Sequence, residues 1–260
     1  MESATLTVTD GLAVLTLNRP QAANALDLSL KTALLDGVRA IAADDSVRAV
    51  LIRAEGRNFC VGQDLGEHAD ALSTTPDRAM DTVAEHYNPL ISGIAALEVP
   101  VVAAVQGACV GAGLGLALAA DVVVAAESAS FATAFTAIGL ASDSGLTRTL
   151  VDAIGAVRTR AFILLGTKIS AAQAQDWGLI AQVASDDEHA ATAEAIARRL
   201  AGGPTAAFAA VKELVAASLP SLEDALERER VAAGPLAATA DHRGAVEAFL
   251  AKRRPDFTGR

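Results

Sequence analysis

Short apolar runs separated by turn residues make up the first part of the chain. Apolar and polar positions alternate over residues 6–8 and 12–17, on either side of Asp10-Gly11, which predicts a β-hairpin. An apolar run at 47–52 predicts a further strand. Between these strands, apolar residues recur at the spacing of an α-helix: Leu30, Leu34, Val38 and Ile41. The chain therefore begins with strand, strand, helix and strand.

The chain is organised around residues 99–121, VPVVAAVQGACVGAGLGLALAAD. The first residues are apolar and rich in β-branched side chains, which predicts a strand buried on both faces. Gln106-Gly107 ends this strand, and a run of small residues from Gly111 predicts a helix that ends at Asp121. A glycine turn before a helix N-terminus leaves backbone N–H groups unpaired. This point would therefore stabilise an anion, or an oxygen that becomes anionic during a reaction.

Three other interpretations of residues 99–121 are open. No charged residue lies between Glu98 and Asp121, so the stretch is long enough to span a membrane, but basic flanks are absent and Pro100 interrupts it. Its G-x-G-x-G spacing differs from the G-x-G-x-x-G of dinucleotide-binding proteins. In the third interpretation, the glycines serve only the close packing of a helix on a sheet.

Later segments are mostly helical in pattern. Residues 67–75 are polar and irregular, and we expect a mobile loop there. The segments with helical patterns are 82–97, 151–165, 170–177, 190–201, 205–217, 221–231 and 241–252. Gly202-Gly203-Pro204 is the best boundary, because only helices are predicted beyond it. We therefore expect a core over residues 1–201 and a helical C-terminal region over 202–260.

Composition narrows the class of protein. The chain has 260 residues, of which 52% are hydrophobic, so a sizeable core is available. A net charge of −10 argues against a nucleic-acid partner and against an anionic membrane surface. Cys60 and Cys109 have no metal-binding spacing and fit a reducing cytoplasm, and the first residues lack the pattern of a signal peptide. We therefore expect a cytoplasmic protein.

Two places carry candidate chemistry besides the glycine turn. Gly62 permits unusual backbone angles, so Gln63 could present its N–H to a ligand; alternatively, Asp64 caps a following helix. Asp143 is the only ionisable group between Glu127 and Arg148. An isolated carboxylate of this kind is either a helix N-cap or a group with a raised pKa. No metal site is expected, because metal spacing is absent among the nearest candidates: Asp64, Glu67, His68 and Asp70.

Several motifs together resemble the crotonase, or enoyl-CoA hydratase/isomerase, superfamily over nearly the whole chain. They are Asn18-Arg19-Pro20, Asn24-Ala25-Leu26, Phe59 to Leu65, Pro100 to Asp121, Phe131, Gly139-Leu140 and Ala174 to Ile180. The resemblance implies an α/β fold, a crotonase-like spiral of ββα units with a C-terminal helical trimerisation region. It also implies a homotrimer or a hexamer (a dimer of trimers). The implied ligand is an acyl-CoA thioester, with coenzyme A as part of the substrate and no separate cofactor.

The resemblance also assigns roles to particular positions. The oxyanion hole of the family consists of two backbone N–H groups, which fall on Gln63 and Ala112 here. The implied acid/base is Asp143, and Lys252 would reach the coenzyme A phosphates in an adjacent subunit. The other implied substrate-binding positions are Ala22, Ala23, Ala25, Val61, Gly62, Asp64, Leu65, Gly111 and Phe135.

The departures from the family pattern bear on the reaction. Hydratases of this family use two glutamates, whose positions hold Gly115 and Phe135 here, and neither residue can titrate. The closest resemblance is to the ring 1,2-epoxyphenylacetyl-CoA isomerase group, which is thought to use one aspartate, at the position of Asp143. The resemblance therefore implies a double-bond or ring isomerase. One alternative is another crotonase reaction (hydration, thioester hydrolysis or decarboxylation) that recruits Asp64, Glu67, His68 or His86. The other is a catalytically silent acyl-CoA-binding protein.

Overall fold

The fold begins with the hairpin that the sequence predicted. A computed structural model describes residues 2–217 and 221–259 of the chain. Strands β1 (Ala4–Thr9) and β2 (Leu12–Leu17) pair in an antiparallel register through a two-residue turn. Asp10 and Gly11 both have positive φ, 52° and 76°, and this is the backbone conformation that a tight hairpin turn of two residues requires. The hairpin prediction is confirmed.

The predicted buried strands form one large sheet. Its order is β1-β2-β3-β4-β6-β9, and every pair from β2 onward is parallel. The strands that follow β2 in this sheet are β3 (Ala49–Ala54), β4 (Val101–Val105), β6 (Val122–Ala126) and β9 (Gln182–Ala184). All five residues of β4 are buried, because helices and loops cover both faces of the sheet.

A small second sheet was missed by the sequence analysis. It contains β5 (Ala108–Val110), β7 (Ser130–Ala132) and β8 (Ile169–Ser170), and Cys60 pairs with Cys109 at its edge. The predicted helix after the glycine turn begins at Ala112, as expected from the small residues after Gly111, and ends at Leu118 rather than Asp121. A strand of three residues is too short to show a period of two. Each β5 or β7 strand follows a strand of the large sheet and precedes a helix, which gives the spiral of ββα units.

Helices cover both faces of the large sheet. Helix α7 (His189–Ala201) packs on β3, β4 and β6 through Ala193, Ala197 and Ala201. Helix α1 (Leu28–Ala42) begins at the cap residue Asp27 and packs against α3 (Asn88–Ala95) on the other side. The other helices are α2 (Leu65–Thr74), α4 (Ala112–Leu118), α5 (Leu146–Leu165), α6 (Ala171–Asp176), α8 (Thr205–Ala216), α9 (Leu222–Ala237) and α10 (Ala240–Leu250).

Two helical segments differ from the sequence prediction. The segment 67–75, which was expected to be irregular, is largely helix α2, and the Asp64 side chain caps it by accepting from the amides of Gly66 and Glu67. In the segment 82–97, Pro89 predicts a kink or a restart of the helix. The chain begins there as a wider π-helical turn, Val83–Tyr87, and restarts as α3 at Asn88, so the predicted interruption is confirmed and only the π-helical form of the first turn is new. Pro89 lacks a backbone N–H, so the regular helical ladder is interrupted at this point.

Partly buried polar contacts hold Gly203 and the C-terminal residues 257–259 against the rest of the chain. The Arg48 guanidinium donates to the carbonyl oxygens of Gly203 (2.6 Å) and Phe257 (3.1 Å). The Asp241 carboxylate accepts from the amides of Thr258 and Gly259, at 2.7 and 2.8 Å. Large apolar side chains of this region nevertheless remain exposed; they include Val215, Leu222, Phe249 and Leu250.

The N-terminal turn of α4 lies directly against the loop that contains Cys60. A Cβ added to Gly113 would lie 2.8 Å from the Cβ and Sγ atoms of Cys60, and closer still to the Cys60 carbonyl oxygen. This close approach joins two segments that are far apart in sequence. The absence of a side chain at position 113 therefore determines how the Cys60 loop and α4 meet.

We expect Gly113→Ala to lower the free energy of unfolding by about 1–3 kcal/mol, because overpacking a tight contact costs that much. Thermal or urea denaturation at a fixed protein concentration measures the change. Gly244→Ala in α10 is the matched control, since a Cβ there meets nothing within 4 Å, and its stability should be unchanged or slightly raised. Equal stability of the two variants would contradict the packing argument.

Candidate active site

A cavity of about 130 Å³ lies between α2, the π-helical turn, the N-terminus of α4 and the segment that precedes α5. Most of its wall is apolar: Val61, Leu65, Met80, Val110, Phe135, Ile138 and Leu140. Its polar side chains are fewer: Gln63, His68, Thr82, Tyr87, Thr133 and Asp143. An apolar pocket with a few convergent polar groups has the properties of a small-molecule site.

Two loops from distant parts of the chain meet at this cavity. A Cβ added to Gly62 would lie 3.0 Å from the Val110 carbonyl oxygen and 3.3 Å from the Ala112 amide nitrogen. Gly62 also has a φ of 86°, a conformation that glycine adopts without strain. Position 62 therefore requires glycine for two reasons, and this glycine lets the loop lie against the first residue of α4.

Within the part of the chain that the structure describes, the backbone amides of Gln63 and Ala112 have no acceptor. Leu26 donates its N–H to the Gly62 carbonyl oxygen (2.8 Å) and accepts from the Asp64 amide (3.2 Å), so the Gln63 N–H points to the opposite side. Ala112 is the first residue of α4, where a helix offers no acceptor. Across residues 2–217 and 221–259 neither amide donates to a protein group. Gln63 and Ala112, the two oxyanion-hole positions that the family resemblance implied, therefore line the same cavity, and the backbone N–H of each is not used by another described residue.

Asp143 lines the same cavity and does not cap a helix. Helix α5 begins at Leu146 after Gly145, and no side chain caps it, so the N-cap interpretation was wrong. The Asp143 carboxylate instead accepts a hydrogen bond from the Ser144 hydroxyl at 2.8 Å. Burial raises the pKa of Asp143, and the hydrogen bond from Ser144 lowers it in part. Of the described residues around the cavity, Asp143 is the one carboxylate.

The two positions at which hydratases carry glutamates have no acid here, and each is occupied for a structural reason. A Cβ on Gly115 would lie 2.8 Å from the Ser144 carbonyl oxygen and closer still to the Ser144 Cβ, so a side chain at 115 has no room. Phe135 contributes its ring to the cavity wall. A pair of carboxylates that positions a water molecule is therefore missing from these positions.

A polar network beside the cavity was not predicted from the sequence. The Tyr87 hydroxyl donates to the Gln63 side-chain oxygen, and the Gln63 side-chain nitrogen lies 3.3 Å from the Glu67 carboxylate. Glu67 also accepts from the ammonium of Lys31 (2.6 Å), which is only 1% exposed, and from the Leu28 amide. The only signal in the sequence was a lysine next to the apolar stripe of α1. Burial, followed by the negative charge of Asp143, raises the pKa of Tyr87.

The remaining predicted binding positions lie outside the cavity wall. Ala22, Ala23 and Ala25 belong to a turn that Arg19 joins to Asp64 by an ion pair of 3.2 Å. Lys252 follows α10 and is exposed. The predicted positions that do line the cavity are Val61, Gly62, Gln63, Leu65, Gly111, Ala112, Phe135 and Asp143.

The groups that the alternative reactions would recruit are mostly engaged elsewhere. Asp64 caps α2, Glu67 holds Lys31, and His86 lies 3.3 Å from the Thr82 hydroxyl. Only His68 of this set lines the cavity. No group of three or more His, Cys, Asp or Glu side chains in the described part of the chain is arranged to hold a metal ion. Over the same residues, no helix is both long enough and apolar enough to cross a membrane.

Comparisons with known proteins identify the family of the chain. Residues 7–260 match the profile of the enoyl-CoA hydratase/isomerase family. The chain is 40% identical over 255 residues to a 1,2-epoxyphenylacetyl-CoA isomerase of Escherichia coli (strain K12), covering 97% of both proteins. It is 36% identical over 248 residues to a 2,3-dehydroadipyl-CoA hydratase of the same organism, covering 95% of both.

A solved structure from Mycobacterium abscessus, described as an enoyl-CoA hydratase/isomerase, superposes with a TM-score of 0.97 at 52% identity. The superposition covers 99% of this chain and 100% of that one. The match to the family extends over almost the whole sequence, and the same fold is found in the solved relative. The chain belongs to the enoyl-CoA hydratase/isomerase, or crotonase, family of acyl-CoA-processing enzymes.

Proposed function

We propose that the protein is an acyl-CoA isomerase in which Asp143 moves a proton between two carbons of the acyl group. The observation that carries the proposal is the composition of the cavity: two unused backbone N–H groups and a single carboxylate. The hydratase positions, Gly115 and Phe135, bear no acid. One carboxylate is sufficient to remove a proton and return it, whereas the two-glutamate route to hydration needs a second acid.

The proposed reaction consumes no water. The Asp143 carboxylate takes a proton from an acyl carbon whose electrons can delocalise onto the thioester carbonyl. The electrons of the broken C–H bond then form an enolate. The amides of Gln63 and Ala112 stabilise the negative charge on the thioester oxygen; in other enzymes, losing one such donor costs about 3–4 kcal/mol. The carboxylic acid of Asp143 then gives a proton to a different carbon, and the double bond has moved.

The environment of Asp143 suits a group that alternates between acid and base. Burial raises the pKa of Asp143 above that of an ordinary aspartate, which brings its proton affinity closer to that of the carbon acid. The Gln63 and Ala112 amides lower the proton affinity of the substrate in the same cavity. The two effects together reduce the difference in proton affinity between the Asp143 carboxylate and the substrate carbon.

The size of the cavity favours a compact acyl group. Its volume is about 130 Å³. For comparison, an engineered apolar cavity of about 150 Å³ binds benzene. A ring or a short branched acyl group therefore fits, in agreement with the phenylacetyl group in the name of the Escherichia coli relative. Coenzyme A would extend from the cavity past the turn at Ala22, Ala23 and Ala25 as part of the substrate, with no separate cofactor.

We also propose that the chain forms a homotrimer or a dimer of trimers through its C-terminal helices. Phe249 is 82% exposed and Val215 is 81% exposed, and large apolar side chains exposed together indicate an interaction surface. Lys252 follows Phe249 closely, so a neighbouring subunit would bring its ammonium towards a coenzyme A phosphate. Association would therefore complete the site at its outer end.

Asp143→Asn should reduce turnover by about 10²–10⁴-fold, the usual contribution of an acid/base residue. The assay follows exchange of the α-protons of phenylacetyl-CoA in D₂O by NMR, and the shift of a 3-enoyl-CoA to its conjugated 2-enoyl isomer by ultraviolet absorbance. Binding of phenylacetyl-CoA should be retained, because the amides are unchanged. Asp70→Asn, on the exposed side of α2, is the matched control and should keep wild-type rates.

Three results would contradict this assignment. Exchange that persists in Asp143→Asn and disappears in His68→Gln would place the proton transfer on α2. Binding without exchange in the wild-type protein would identify a silent acyl-CoA-binding protein. Hydration of a 2-enoyl-CoA that is faster than isomerisation would identify a hydratase.

Charge at the exposed apolar surface should disrupt the assembly. We expect Phe249→Asp with Leu250→Asp to convert a trimer or hexamer into monomers, because a carboxylate buried in an apolar interface has no partner. Sedimentation or light scattering measures the mass. Exposed Glu223→Gln in α9 is a control that removes a charge and should leave the mass unchanged. A wild-type protein that is monomeric at micromolar concentration would rule the assembly out.

A further inference from the structure

The residue after Asp143 adopts a conformation that a serine rarely takes. Ser144 is 3% exposed and has a φ of 53°, and Gly145 follows with a φ of 73°. A left-handed backbone conformation strains a residue with a Cβ, and such strain persists only where the surroundings impose it. Asp143, Ser144 and Gly145 therefore form a tight turn whose shape is set by what packs against it.

The packing partner of this turn is Gly115 in α4. A Cβ at position 115 would collide with the Cβ of Ser144 and would lie 2.8 Å from its carbonyl oxygen. The turn occupies the space that a side chain at 115 would need. A glutamate side chain at position 115 therefore has no room while Ser144 is buried where the structure places it.

The Ser144 hydroxyl is the one hydrogen-bond donor that the described residues offer to the Asp143 carboxylate, at 2.8 Å. The other ionisable side chains at the same cavity are Tyr87 from the π-helical turn and His68 from α2. No Lys or Arg of the described chain lines the cavity, so no fixed positive charge faces Asp143. A hydroxyl that donates to a carboxylate favours its ionised form and fixes its orientation.

We propose that Ser144 is a positioning residue for the isomerase reaction. The Ser144 hydroxyl holds Asp143 in the ionised form and in the orientation needed to take the first proton. Gly115, which has no side chain, leaves the space that Ser144 occupies. The proposal rests on the proposed function, because it gives Ser144 a role only through Asp143. It also explains why an acid is missing at position 115: the side chain would displace the turn that carries the acid/base.

The first test is the pH dependence of kcat/KM for proton exchange of phenylacetyl-CoA in Ser144→Gly and Ser144→Ala. In the wild type, kcat/KM should rise with pH as Asp143 loses its proton, with a midpoint above the ordinary aspartate value. Without the hydroxyl, the midpoint should move to higher pH by about one unit, since a hydrogen bond to a charged group has about that effect. KM at a pH well above the midpoint should change by less than about threefold, because Ser144 does not line the cavity.

The two variants separate the hydroxyl from the backbone strain. Ser144→Gly removes the hydroxyl and relieves the left-handed strain, whereas Ser144→Ala removes the hydroxyl and keeps the strain. The same shift of the midpoint in both variants supports the proposal. An unshifted midpoint in both, or a shift only in Ser144→Ala, overturns it, because the effect would then be absent or due to folding strain.

The second test uses the contact between Gly115 and Ser144. Gly115→Ala should lower kcat by about 10–100-fold with little change in KM, since it displaces the acid/base and leaves the amides in place. Removing the Ser144 Cβ relieves part of the collision. Ser144→Gly should therefore restore part of the lost kcat when it is added to Gly115→Ala. On its own, Ser144→Gly should lower the rate at pH values near the acidic limb of the pH profile. If the fold-loss of kcat in the double variant equals the product of the losses in the two single variants, the proposed contact between Gly115 and Ser144 is wrong.

Failure of this proposal and failure of the proposed function give different results. If Asp143→Asn is inactive and the Ser144 variants keep the wild-type pH profile, Asp143 is the acid/base and Ser144 has no part in it. If Asp143→Asn keeps its activity, the proposed function itself is wrong, whatever the Ser144 variants show.

Discussion

The candidate site depends on the contact between the Cys60–Gln63 loop and the first turn of α4. Gly62 and Gly113 make this contact possible: a Cβ on Gly113 would collide with Cys60, and a Cβ on Gly62 would press against the Val110 carbonyl oxygen and the Ala112 amide. The contact brings together two amides from separate ββα units, Gln63 and Ala112, for which the described residues offer no acceptor. A charge-stabilising site made of backbone needs no particular side chain, but it requires that neither loop be pushed away from the other. Glycine meets that requirement at both positions.

The same arrangement leaves the choice of reaction to a few neighbouring side chains. In the proposed reaction the amides would stabilise an enolate whatever happens next, so the position and number of acids would decide where the proton goes. The proposed acid/base, Asp143, lies in the turn before α5, and that turn packs on Gly115 in α4, where a second acid would otherwise lie. The location of Asp143 and the absence of an acid at 115 are therefore one structural feature. With this path of the turn, position 115 has no room for an acid.

The sequence predicted the parts of the fold that carry a regular pattern. The hairpin at Asp10-Gly11 and the buried strand β4 follow from the period and composition of their residues. Strand β5 is too short to show a period. Helix α2 has a polar sequence with no apolar stripe to reveal it, because the Asp64 cap and the Glu67–Lys31 ion pair, a contact between separate helices, hold it in place. The context of Asp143 left open whether it caps a helix or is a group with a raised pKa, since an aspartate before a helix is a common cap, and only the family resemblance placed it in the site. The structure shows Asp143 lining the cavity, in front of a left-handed turn at Ser144 and Gly145.

The charges around the cavity also favour a proton that is removed and then returned. Lys31 lies 5.8 Å from the centre of the Tyr87 ring, but its ammonium is bound to Glu67 and Thr82. Its charge is therefore largely neutralised by Glu67, and a cation beside Asp143 would have made that carboxyl a weaker base. In the proposed reaction, neutral amides would hold the enolate, and burial raises the pKa of Asp143, so the difference in proton affinity between the carboxylate and the substrate carbon is reduced. The protonated Asp143 would then give a proton back to the substrate at another carbon.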